Sequence, residues 1–577
     1  TSARLYAIDA ALPGSTVSIG APAGPNGKLT IGGKVRAYSA INLYSGISPD
    51  GDIDLGPTGV LETVNGSVSF NAGQYGDIRG AIIAGGAGSD ISLAAAQSLR
   101  IRGNLTADHD ILLTAGTETV SGQVSVQIDS TSQLNSAGGG GSIVVTGHND
   151  VVFNGVFGTG STDLARLELN AVHGNLTIPK DGAWIESDGL IALKGAVVDV
   201  QGVGRSTRTT DSTTDFEITI DASDTAIING DLQLTGSLRI DADNLVEVFN
   251  TTIAISSAGQ KVVFSGGDIR FGKATTNSAG TLEQQGALVT AVDRIEFNAT
   301  GLVEIGSGSV IATSGDNSQI QLGAGGLTIA GSLLAGATIT NGVTTYSGIG
   351  ADILVTGQET VAIGGTGIIA GVAQQVGGTL AATGDITVNV HGGAADVSFT
   401  LSPLSSLRTE AVTNEPTGIS HDVTVSTDQD IQIYSAIVAL NSGADVTLLS
   451  GELIVVDGLL KADHQLTVIG GSDETGVGLN VVGFEFDSSG GGAPVRLHGG
   501  TLTTAAGGTI VIGADQKVLL SGVIGELQVT NGVTTADTEN IYLTKAGNAF
   551  VMTTVNAAQQ IHFLATSITV LPGAVVQ

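Results

Sequence analysis

The acidic run Asp50-Gly51-Asp52-Ile53-Asp54 sets three carboxylates on alternate residues, so a strand through it would carry all three on one edge. Hard oxygen ligands in that arrangement suit calcium, and Asp50, Asp52 and Asp54 are the candidate metal ligands of the chain. The run has neither the twelve-residue EF-hand pattern nor the glycine–aspartate nonapeptide of calcium-binding β-rolls, and a solvated turn is the favoured alternative. A second pattern, Asp108-His109, returns as Asp463-His464 and could act as an acid/base or metal pair. In the second copy Asp110 becomes Gln465, and in a looser one Asn244 stands for His109. A corner residue that hydrogen-bonds its own turn accounts for Asp, His and Asn alike. The other histidines, His148, His173, His391, His421, His498 and His562, show no i, i+4 spacing, which leaves no zinc motif.

Carboxylates beside arginine also cleave polysaccharides. Asp211, Asp215, Glu217, Asp221 and Asp224 form such an acidic stretch, flanked by Arg205 and Arg208. Sugar-binding grooves, however, rest on aromatic platforms. Aromatic residues make up only 4% of this chain and Trp184 is its single tryptophan, as readily a corner residue as a ligand platform, so an enzyme is the weaker reading. The glycine runs Gly138 to Gly141 and Gly490 to Gly492 lack a following Gly-Lys-Ser/Thr and read as corners, not phosphate loops. No catalytic residue and no cofactor other than possible calcium is assigned.

The elements that must position these groups are written in a repeat. Leu29-x-Ile31-x-Gly33-x-Val35-x-Ala37 returns as Leu99-x-Ile101-x-Gly103-x-Leu105-x-Ala107, as Leu327-x-Ile329-x-Gly331-x-Leu333-x-Ala335 and as Ile454-x-Val456-x-Gly458-x-Leu460-x-Ala462. Looser copies centre on Gly155, Gly236 and Gly522. A degenerate strand–glycine–strand repeat is the mark of a solenoid. Short period-2 runs such as Ile91-x-Leu93, Ile111-x-Leu113, Ile386-x-Val388 and Val446-x-Leu448 are often introduced by Asp. Fixed six-residue steps lead from Val35 to Ile41, Leu105 to Ile111, Leu333 to Ile339 and Leu460 to Leu466, and each predicts a strand end and a tight corner. The central glycine is expected to supply positive φ at that corner. No helical stripe appears.

Together these predict an all-β fold, a right-handed parallel β-helix running over residues 1–577 as a single elongated rod. At about 20 residues per coil the rod would have roughly 25 coils and a length on the order of 120 Å. Hydrophobic residues at 41% give ample core, and charged residues at 13% argue against disorder. A net charge of −32 repels nucleic acid and anionic membranes, no apolar run is long enough for membrane insertion, and the absence of cysteine removes disulfides and thiolate ligands.

The unit Leu99 to Ala107 followed by Asp108-His109-Asp110-Ile111-Leu112-Leu113-Thr114-Ala115-Gly116 resembles the repeats of filamentous-haemagglutinin-like adhesins. The likeness extends over most of the chain as a style of repeat, without a match to the amino-terminal secretion domain of those proteins. It implies a secreted or cell-surface location, export through an outer-membrane transporter, and a scaffolding or adhesive role towards a host-cell, neighbouring-cell or matrix receptor.

Regularity lapses at residues 204–215, 402–421 and 472–494, which are expected to leave the coil as loops; Phe484-Glu485-Phe486 suggests a hairpin in the last. The repeat neither starts nor finishes within the chain, so the expectation is a fragment of a longer protein, continued by its own chain or stacked end to end on other copies. The functional expectation is a non-catalytic adhesin stalk. A self-assembling extracellular filament and a β-helical polysaccharide-active enzyme are the alternatives.

Overall fold

The computed structural model describes residues 3–577 apart from 11, 21–26, 47–50, 118–121, 139, 158–163, 181–183, 188, 207–215, 277–280, 370–371, 392–396, 413–418, 440, 472–476, 482–499, 506, 515–516, 521, 526, 531–532, 537 and 552–553. The chain divides into two compact units, Thr1–Gly267 and Asp268–Gln577. The division falls inside the strand Lys261–Phe271, so no linker and no change of composition marks it. Both units are all-β, with no helix among the described residues.

Within each unit short strands recur in sets of three. In the first, Ser67–Ala72, Tyr75–Ile78 and Ala81–Ala84 are followed by Ile91–Ala95, Ser98–Ile101 and Leu105–Ala107, then by Ile111–Ala115, Val124–Ile128 and Gln133–Ser136. Each of these strands pairs in parallel with the one three places on; elsewhere the interval is two, as where Ile218–Ile228 meets Leu238–Val248, or four, as where Asp352–Ile363 meets Ile386–Val390. Ile91 lies opposite Ile111, Leu99 opposite Val126, and Leu105 opposite Leu134. The second unit repeats this, with Val423 opposite Val446, Ile431 opposite Ile454, and Ile437 opposite Leu460. The period-2 alternation explains the arrangement, because it buries Ile91, Leu93, Leu99, Ile101, Leu105 and their counterparts on one side. Each such side chain contributes about 1.5–3 kcal/mol on burial. A one-residue slip would turn a whole strand inside out, so the pattern itself holds the register.

The repeat glycine has a different role from the one its position suggested. Gly103, Gly331 and Gly458 have ordinary φ values. What they lack is room. A Cβ would sit 1.8 Å from the Gly80 carbonyl oxygen at Gly103, 2.5 Å from that of Ser309 at Gly331, and 1.9 Å from that of Ser435 at Gly458. Consecutive corners stack so closely that only a residue without a side chain fits between them.

Positive φ is used instead where the second unit departs from the three-strand sets. Four antiparallel hairpins occur among the described residues: Lys273–Thr276 with Leu282–Gln285, Ala337–Thr340 with Val343–Tyr346, Gly365–Ile369 with Val372–Val376, and Leu527–Thr530 with Val533–Ala536. They leave just after Gly272, Gly336, Gly364 and Gly525, with φ of 83°, 75°, 102° and 72°. The step from Leu333 to Ile339 therefore does not reach the next set; Ile353 is the residue that pairs with Ile320 there. Ile339 belongs to a hairpin closed by Asn341 and Gly342, whose φ values of 50° and 76° are those of a type I′ turn. That hairpin folds back so that Ile339 and Tyr346 cover Ala312, Leu334 and Ala381. Burial pushes the Tyr346 phenol up, Glu410 adds to this, and Arg408 opposes it.

The three expected loops are narrower than the sequence suggested. Val203–Ser206 pairs with Trp184–Ser187, Ser406–Thr409 with Thr379–Ala382, and Val477–Val481 with Ile454–Val456, so parts of all three stretches stay in the ladder. Residues 207–215, 413–418, 472–476 and 482–494, including Phe484 and Phe486, lie outside the described residues.

One corner carries strain. In Ser402-Pro403-Leu404-Ser405 the Ser405 amide donates to the Ser402 carbonyl at 3.2 Å, and Leu404 has φ 69° with 77% of its surface exposed. The comparable turn Leu571-Pro572-Gly573-Ala574 places a glycine, φ 93°, at that position. Leu404→Gly removes the left-handed penalty and little packing, and should raise unfolding stability by about 1 kcal/mol, read from the urea midpoint at unchanged slope.

Candidate functional site

Ile53–Leu55 is a strand whose Ile53 and Leu55 are buried, which turns Asp52 and Asp54 to the outer side as the alternation required. Asp50 lies outside the described residues. Asp54 is already engaged: Arg79 Nη2 donates to its two oxygens at 2.6 and 2.8 Å, and Lys28 Nζ stands 3.9 Å away. Arg79 also lies 3.5 Å from Asp77, whose Oδ1 accepts from Arg102 Nε at 3.1 Å. The hydrogen bond to Asp54 raises the pKa of Arg79. Arg79 thus already engages one of the three candidate calcium ligands, Asp54, and the arginines reach back to aspartates of the preceding layer, Arg79 to Asp54 and Arg102 to Asp77.

The Asp-His pairs are built alike in the two units. Asp108 Oδ2 accepts the Gly88 amide at 2.8 Å, and Asp463 Oδ2 that of Gly443 at 2.7 Å. The amides of His109 and His464 each donate at 3.0 Å to a carbonyl of the preceding layer, Ser89 and Ala444. His109 Nδ1 lies 3.2 Å from Asp90 Oδ1, and His464 Nδ1 lies 2.9 Å from Asp445 Oδ1. In the looser copy Asn244 donates to Asp224 at 3.2 Å. These contacts join a corner to the corner before it and not, as expected, to its own turn.

Asp90, His109 and Asp110 bring one ligand atom each within 4.8 Å of one another, and so could hold a metal ion. Their atoms have other work. Asp90 Oδ1 also accepts the Asp110 amide at 3.0 Å, and Asp110 Oδ1 accepts the Ser142 amide at 2.8 Å. The second copy keeps the arrangement with Gln465 in the third place, donating its amide to Asp445 at 2.9 Å. Geometry that survives the loss of a ligand is explained by the clamp between layers.

That clamp is general, and sequence reading missed it. Aspartates noted only as introducing strands each accept an amide one layer away. Asp150 takes that of Asn175, Asp231 that of Thr252 and Asp430 that of Leu453, at 2.8, 2.8 and 2.9 Å. The signal was present: Asp stands directly before the first inward residue at Ile91, Ile111, Ile353, Ile386, Val423 and Val446.

The remaining candidates do not converge. Asp211, Asp215 and Arg208 lie outside the described residues, Glu217 is fully buried, and Asp221 and Asp224 fall within the strand Ile218–Ile228. Arg205 sits in the ladder strand Val203–Ser206, and Trp184 opens the strand Trp184–Ser187. Gly138 stacks on the Asp108 carbonyl, where a Cβ would approach to 2.3 Å, as a corner glycine should. The chain matches no family model and no curated protein sequence.

Two outcomes follow from the clamp. Asp90→Ala strands the Asp110 amide and should cost about 1–3 kcal/mol in urea unfolding. Zinc or calcium should leave the wild-type midpoint where it is. An ion bound at about 100 times its dissociation constant would add about 2.7 kcal/mol, and loss of that gain in His109→Ala would assign it to this cluster.

Proposed function

We propose that the chain is a right-handed parallel β-helix and serves as the non-catalytic stalk of a large bacterial fibre of the filamentous-haemagglutinin-like kind. The observation that carries this reading is the in-register parallel pairing of successive three-strand sets, seen within each unit. Short corners between parallel strands of one stack favour the right-handed crossing. Hydrogen bonds then run between layers while apolar residues stack inside them, the construction of a body that bears load and spans distance. The outer faces suit a shaft better than a catalytic groove, since Arg79, Arg102, Arg100 and Arg294 pair with acids of the ladder or its corners.

On this reading the protein is secreted or held at the cell surface, reaches it through an outer-membrane transporter, and projects a region that engages a host-cell, neighbouring-cell or matrix receptor. Its axial partner in the fibre is proposed to be a further copy of the same repeat, stacked end to end. Negative-stain microscopy of the purified chain tests this directly. Separate elongated particles of uniform length are expected; end-to-end polymers would assign a self-assembling filament instead, and depolymerisation of an acidic polysaccharide by the purified chain would establish an enzyme.

A further inference from the structure

We propose that the aspartate column Asp352, Asp385, Asp422 and Asp445 in the second unit is a proton-operated clasp that tightens the stack as the surroundings become acidic. The four residues occupy one corner in successive layers, each directly before a buried residue of the parallel ladder, Ile353, Ile386, Val423 and Val446. The Asp385 amide donates to Asp352 Oδ1 at 2.8 Å, the Asp422 amide to Asp385 Oδ1 at 2.8 Å, and the Asp445 amide to Asp422 Oδ1 at 2.9 Å. The Gln465 amide closes the series on Asp445 at 2.9 Å. In the opposite direction the carbonyls of Asp385, Asp422 and Asp445 accept the amides of Ile353, Ile386 and Val423. Each aspartate is therefore bonded to the layer on either side of it.

This geometry sets like charges one strand spacing apart, about 4.8 Å, in a partly desolvated corner. The backbone donors favour the carboxylates while the neighbouring carboxylates oppose them. The charged groups that face the column are its own members, His421 beside Asp352 and Asp422, and His464 beside Asp445; Asp463 binds the Gly443 amide at its end. Burial raises the pKa of Asp352, with Asp385 adding to the shift; the Asp385 amide and His421 work against it. Asp422 is raised by burial as well, and by Asp445 and Asp385, against the Asp445 amide and His421. A protonated carboxyl keeps a carbonyl oxygen for the amide of the next layer, so acidification removes repulsion and keeps the bond.

The sign follows from linkage. Between the ordinary carboxylate value and the raised one, the folded chain holds protons that the unfolded chain has released, so stability falls as pH rises through that window and grows as pH falls through it. The experiment is thermal unfolding of the full chain at about pH 7 and about pH 5, for wild type, Asp422→Asn, Asp352→Asn and the exposed control Glu359→Gln. The contribution of Asp352 and Asp422 should rise on acidification, so that the difference in melting temperature between wild type and an Asn variant narrows from about pH 7 to about pH 5. Either Asn variant, which keeps the acceptor without the charge, should melt higher than wild type at pH 7, and Glu359→Gln should differ from wild type by the same amount at both values. The proposal fails if the difference for the Asn variants does not narrow, or if that for Glu359→Gln narrows as much as theirs. Amide exchange at Asp445 supplies a local reading: Asp422→Ala should lose protection there and Asp422→Asn keep it, and unchanged protection in both overturns the clasp.

Discussion

Within each unit the rest depends on one constraint: a parallel ladder in which a strand must meet its counterpart in the next layer in the same register. Backbone hydrogen bonds between layers are indifferent to side chains, so the register is held by what alternates along each strand. Ile91 on Ile111 and Leu99 on Val126 are buried pairs that a one-residue shift would exchange for polar ones. The same condition governs the surface. A residue facing outward in one layer has its counterpart in the next as a permanent neighbour: Asp54 lies in register with Asp77, and Arg79 contacts both carboxylates.

Corners are where the ladder needs help. A chain that turns takes an amide out of line with its partner in the neighbouring layer, and an unpaired amide in a partly buried corner is costly. Aspartate answers this with a side chain short enough to reach one layer and no further. The glycines answer a second demand, the close approach of one corner to another at Gly103, Gly331 and Gly458. Both residue types were conspicuous in the sequence, and for both the cause lay in the neighbouring layer. Single-chain reading interprets a corner in terms of its own turn, so the Asp-His pairs looked local and the repeat glycine looked like a site of unusual φ.

The strands and their inward faces were legible because period-2 alternation is a property of adjacent residues; the pairing of particular layers followed from equal spacing. The division at Gly267 was not legible, since it interrupts no pattern. Nor was the departure of Ile339 from the six-residue step, although Asn341-Gly342 between Thr340 and Val343 is a hairpin signal, and the hexapeptide Thr340 to Thr345 returns as Thr530 to Thr535. Of the candidate calcium ligands, the outward alternation of Asp52 and Asp54 could be read from their spacing. The engagement of Asp54 by Arg79, 25 residues away, could not.

The positive-φ glycines that launch the four hairpins have a consequence for how such a chain can change. Because the ladder's hydrogen bonds run between layers and the hairpins leave at corners, the strands on either side of Gly336 keep their partners whatever length of chain intervenes. A corner glycine is therefore a socket. New sequence can be accepted there, tested by selection and discarded again without altering the register of the layers above and below, so the surface of the protein can diversify at a rate its interior never has to match.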